Sequence, residues 1–139
     1  VRAGERVITG AIYVVLAVMG ALLGVIGAFL VPARIFGDIE GVSVVLALVG
    51  NAALGILGGL GTRSLAGALA PTLGWFVAVG VLTVFGPGGD VVLAGKLPDD
   101  PSVVTVGDAF LFVGIVSGAV AMLATAYFIR RSKAPTSEV

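Results

Sequence analysis

Residues 7–31 read VITGAIYVVLAVMGALLGVIGAFLV, about 25 residues without one Asp, Glu, Lys or Arg. At ~1.5 Å of rise per residue, a helix of ~20 such residues crosses the ~30 Å hydrocarbon layer of a bilayer. A helix on a water-soluble core needs only one apolar stripe and keeps a polar opposite face. Here the apolar residues run all the way round, and Arg6 and the pair Pro32 and Arg34 close the segment. A cleaved leader is the competing reading, because Arg2 and Arg6 precede the run. A leader's apolar part is only ~7–15 residues long and ends at a small-x-small site. This run is longer and no such site follows, so it reads as a membrane span.

Three further runs repeat the pattern at residues 42–60, 64–85 and 107–129. Gly61, Thr62 and Arg63 close the second, and Arg130 and Arg131 close the fourth. Strands would leave backbone groups unpaired in lipid, so helices are the form expected. The whole composition agrees. Of 139 residues, 58% are hydrophobic and 12% charged, against ~25% charged in soluble domains. Mean hydropathy is +1.17. The expected fold class is therefore an all-α membrane protein, a bundle of four transmembrane helices filling residues 1–133, with a short disordered tail at 134–139.

Orientation follows from the basic residues beside the span ends. With the N-terminus inside, Arg2, Arg6, Arg63, Arg130, Arg131 and Lys133 face the cytoplasm, and Arg34 and Lys96 face out. Both termini are accordingly expected on the cytoplasmic side, with Arg6, Arg63, Arg130 and Arg131 as topology anchors. The acids fall the other way. Asp38, Glu40, Asp90, Asp99, Asp100 and Asp108 make the outer face acidic, leaving Glu5 and Glu138 inside. Tyr127 and Phe128 suit an inner aromatic belt, and Phe36, Phe85 and Phe110 an outer one. Trp75 breaks that pattern, falling some ten residues into the third run. The expected account is a helix from about Ser64, kinked near Pro71, with Trp75 at mid-depth in a helix contact.

Small residues recur at helical spacing: Ala17, Gly20, Gly24 and Ala28 in the first run, Gly55 and Gly59 below Asn51 in the second, and Gly114 and Gly118 in the fourth. Spaced four apart, they let helix backbones approach closely, and Gly20, Gly24, Asn51, Gly55, Gly59, Gly114 and Gly118 are the expected packing positions. Contact inside the bundle is the more economical use of these stripes than contact with another protein. Asn51 is the strongly polar side chain deep in a span, and is expected to bond to a neighbouring helix rather than to a solute. The hydroxyls of Thr72, Thr83, Ser117 and Thr125 can turn back on their own helices.

Chemistry is scarce. The chain has no Cys and no His, which excludes disulfides, thiolate nucleophiles, His-ligated haem and the usual zinc sets. Gly86-Pro87-Gly88-Gly89-Asp90 is a turn and not a phosphate loop, since no Lys-Ser/Thr follows it. Asp99 and Asp100 read as a solvated acidic loop rather than a cation site. Eight basic and eight acidic residues balance, so no nucleic-acid partner is expected, and no catalytic, cofactor-binding or metal-ligating residue is assigned.

The segment Ala70-Pro71-Thr72-Leu73-Gly74-Trp75, followed by Gly86-Pro87-Gly88-Gly89-Asp90 and an outer loop, resembles a family of small four-helix membrane proteins of actinobacteria. The layouts correspond from about Ile12 to Phe128. In that family the turn carries an Arg and a Glu where Phe85 or Gly86 and Gly88 stand here, so an ion pair at the turn does not carry over. Some genes of the family lie beside a mycothiol-biosynthesis deacetylase. The resemblance implies a bacterial inner (plasma) membrane and no particular activity. The function expected is that of a non-catalytic accessory, scaffold or assembly subunit of a larger membrane complex. Its partners are the lipid bilayer and other membrane subunits or itself. The alternative is a small-solute transporter or channel acting as an oligomer. Proton coupling needs an ionisable group in the membrane, and the interiors of the four runs hold none.

Overall fold

The computed structural model describes residues 2–31, 41–85 and 106–132. The turn at 86–90, the acidic residues Asp99 and Asp100, Phe36 and the tail at 134–139 lie outside them. Four helices make up the described chain: α1 (Arg2–Leu30), α2 (Val42–Thr62), α3 (Leu65–Val84) and α4 (Val106–Ser132). Each is long and apolar enough to cross a membrane. Asp108 in the first turn of α4, with Arg130 and Arg131 in its last, match the sign of the helix dipole at each end.

The helix ends have local causes. Ser64 is the N-cap of α3, and its hydroxyl accepts the Gly67 amide at 3.0 Å, which satisfies one of the donors a helix start leaves open. α2 ends at Arg63, which holds a left-handed backbone (φ 49, ψ 37) and donates its N–H to the carbonyls of Gly59 and Leu60. α3 continues through Pro71 as an unbroken helix. Proline cannot supply the bond to the carbonyl four residues back. That carbonyl, on Gly67, lies against Gly58 of α2.

Contacts fix the directions of the helices. Gly20 meets Pro71 and Gly24 meets Trp75, so α1 and α3 run parallel. Ala47 accepts a bond from Ser117, and Gly59 meets Thr125, so α2 and α4 also run parallel. Gly58 against Gly67 makes α2 and α3 antiparallel. The most extensive interfaces are α1 with α3 and α2 with α4, and α1 scarcely touches α4. The cross-section is a rhombus with α2 and α3 on its short diagonal. The start of α1, the Thr62–Ser64 turn and the end of α4 share one end of the bundle.

The exterior is the reverse of a soluble protein's, and part of the interior is polar. Ser43, Asn51, Ser117 and Thr125 are fully buried, while Val, Leu, Ile and Phe side chains are exposed along all four helices. Water would penalise that exterior, whereas lipid accepts it. The chain is a multi-pass integral membrane protein.

Two features depart from the sequence reading. Phe110 is not part of an outer belt. It is fully buried, its ring 5.2 Å from Trp75 at a 55° tilt, and it covers Gly27. Space left by that glycine draws the ring inward. The helix of α1 also begins earlier than residue 7. The Tyr13 hydroxyl bonds to Ser64 at 2.9 Å, which puts Tyr13 level with the α2–α3 turn. Residues 3–12, all exposed, continue as helix for about 15 Å beyond that level.

Candidate functional site

The core between α2, α3 and α4 is where the sequence and the structure place unusual chemistry. Ala47 and Gly55 of α2 bracket Asn51. They meet Ser117 and Ala121 of α4, which in turn bracket Gly118. Gly118 packs on Thr72 of α3, and Gly114, one turn away, packs on the Trp75 indole. Asn51, Thr72, Trp75, Ser117 and Gly118 therefore occupy one level of the bundle. Trp75, Asn51 and Ser117 have no solvent exposure.

Ser117 spends its hydroxyl on the carbonyls of Gly114 (2.9 Å) and Ala47 (3.3 Å). One bond lies within its own helix and the other ties α4 to α2. Asn51 fares differently. Both its amide oxygen and its amide nitrogen are buried without a hydrogen-bond partner among the described residues. The expected interhelical bond is absent. Thr83 donates to Val79 of its own helix at 2.8 Å, but the hydroxyls of Thr72 and Thr125 find no such partner. Their methyl and hydroxyl groups are pressed against Gly118 and Gly59 instead. Among the described residues, Ser43 Oγ and Trp75 Nε1 are also buried without a partner.

The remaining expected packing positions each meet a neighbour. A β-carbon on Gly20 would run into the Pro71 carbonyl, and one on Gly24 would lie 3.0 Å from the Trp75 carbonyl. On Gly55 it would meet Ala121 at 2.6 Å, and on Gly59 the Thr125 side chain. Gly74, which sequence reasoning passed over, makes the reciprocal contact of Gly20, with its Cα against the Ala17 backbone. Its signal was present in the spacing of Ala70, Gly74 and Ala78. Gly58 and Gly67 were missed for another reason: Gly58 meets the Gly67 carbonyl that Pro71 leaves without its helix bond, and Gly67 meets the Gly58 carbonyl and the Thr62 hydroxyl, contacts that no spacing rule reports.

Arg6, Arg63, Arg130 and Arg131 gather at one end of the molecule, spread over α1, the α2–α3 turn and α4. Among the described residues no three His, Cys, Asp or Glu side chains come together. What the fold defines is a four-helix, all-α membrane bundle whose core mixes Trp75, Phe110 and Val79 with small and polar residues. The chain belongs to the Family of unknown function (DUF6113), whose model matches residues 3–125. No curated protein and no solved structure matches it significantly.

Proposed function

We propose that the chain is a non-catalytic accessory or scaffold subunit of a larger membrane complex, resident in an actinobacterial plasma membrane with both termini in the cytoplasm. One observation carries this reading. The first three turns of α1 stand clear of the bundle, with Val7 at 73% and Ile8 at 63% exposure. A helix that overhangs its own bundle with an apolar side uncovered offers a partner a contact that the fold does not use. The small-residue contacts, by comparison, are consumed inside the bundle. Supporting it are the concentration of Arg residues at that end and a bundle axis filled by Trp75, Phe110 and Val79.

The test is native purification in a mild detergent. A stoichiometric membrane partner should accompany the wild-type chain and be lost from a Val7→Ser, Ile8→Ser variant that keeps its thermal stability. A chain that purifies alone in lipid nanodiscs and in several detergents would contradict the proposal. The second reading, a small-solute transporter or channel, rests on the sealed, unpartnered amide of Asn51. Its mark would be solute flux into vesicles that Asn51→Leu abolishes while stability is kept.

A further inference from the structure

At the end of the bundle that carries the Arg residues, the parallel helices α2 and α4 separate just past the contact of Gly59 with Thr125. A cleft of about 520 Å³ opens there, lined by Leu60, Arg63, Phe128, Ile129 and Ser132. Its floor is apolar and its charge is positive, with no acid among the described residues that line it. Ser132 turns its hydroxyl proton back onto the Ile129 carbonyl at 2.9 Å, so Arg63 is the charged donor left to a ligand. Arg63 makes no ion pair among the described residues. The exposed Arg130 and Arg131 stand beside the cleft on α4.

Arg63 is also the only residue other than glycine with positive φ among those described. The position following a helix normally falls to glycine, because a β-carbon is strained there. An arginine that holds this position against its backbone preference, with its side chain lining a cleft, points to use of that side chain. The ends of α2 and α4 work against an anion, since helix C-termini carry partial negative charge. Anion binding here must therefore depend on the guanidinium.

We propose that this cleft binds an anionic glycerophospholipid. The phosphodiester oxygens take paired hydrogen bonds from Arg63, and an acyl chain lies along Leu60, Phe128 and Ile129. Basic pockets between transmembrane helices at the headgroup level have this chemistry, and the neighbouring Tyr127 and Phe128 mark that level. The inference is independent of the partner reading above and of which membrane face this end occupies.

The test is thermal unfolding of the full chain in neutral detergent, with phosphatidylglycerol, phosphatidylcholine or inorganic phosphate added. Phosphatidylglycerol should raise the Tm by a few degrees, and the other two should not. Arg63→Gly should raise the Tm without lipid, because the left-handed strain is relieved, and should lose most of the phosphatidylglycerol increment. Arg63→Lys should keep part of the increment. An undiminished increment in Arg63→Gly, or equal increments from the two lipids, would overturn the proposal. A full increment from inorganic phosphate would replace the lipid with a free anion, and would overturn it equally.

Discussion

Asn51 has no solvent exposure and no hydrogen-bond partner among the described residues, and that reverses the ordinary forecast for removing a buried polar residue. An unmade hydrogen bond on a buried group costs about 1–3 kcal/mol, so Asn51→Leu should leave stability in detergent unchanged or raise it by about 1 kcal/mol. A marked fall in unfolding temperature would mean that the amide holds a bond this structure lacks. Glycines separate by what their β-carbon would strike. Gly20 faces the Pro71 backbone, Gly118 faces the Thr72 side chain, and Gly10 faces nothing within 4 Å. Backbone cannot step aside as a side chain can. Alanine should therefore cost about 1–3 kcal/mol at Gly20, less at Gly118, and nothing at Gly10, where helix propensity favours it. Equal melting of the three variants would refute the α1–α3 contact. The sequence made it legible that Asn51 lies on the small stripe with Gly55 and Gly59. It did not show that the amide would find no partner among the described residues, because that depends on the relative rotation of the helices.

Element by element, hydropathy marked the spans well and their ends less well. The apolar run of α1 stops at Arg6, yet the helix runs back to Arg2. Arg, Ala and Glu are good helix formers, so charge ends the apolar run without ending the helix. Thr9 bonds back to the Glu5 carbonyl at 2.9 Å and stays within the turn. The overhang yields a comparison between two sites of similar exposure, Ile8 at 63% and Leu22 at 52%. An aspartate at mid-span costs about 2.5–3.5 kcal/mol of insertion, while a surface change beyond the hydrocarbon is usually within about 0.5 kcal/mol. Leu22→Asp should sharply reduce the yield of inserted protein, and Ile8→Asp should not. Comparable losses from both would put the first turns of α1 inside the hydrocarbon.

At the scale of the whole molecule, four spans could be read from the sequence but their arrangement could not. The largest interface of α1 is with α3 and not with its sequence neighbour α2. Small residues line all four helices, so their spacing allows many pairings. What selects among them is shape: Gly20 and Gly74 remove side chains from the same crossing, and Trp75 and Phe110 fill the gap that remains. The resulting order brings the start of α1, the turn at Arg63 and the end of α4 to one end. The distribution of Arg is the basis on which we propose that this end is the cytoplasmic one.

That placement is the central claim, and single-cysteine labelling in intact cells tests it most directly, since the native chain has no cysteine to interfere. With an impermeant thiol reagent, Ser64→Cys and Ser132→Cys should stay unlabelled until the membrane is opened, while Ser102→Cys should label at once. Labelling at positions 64 and 132 with protection at 102 would turn the molecule over, and labelling at only one of 64 and 132 would break the four-span bundle itself.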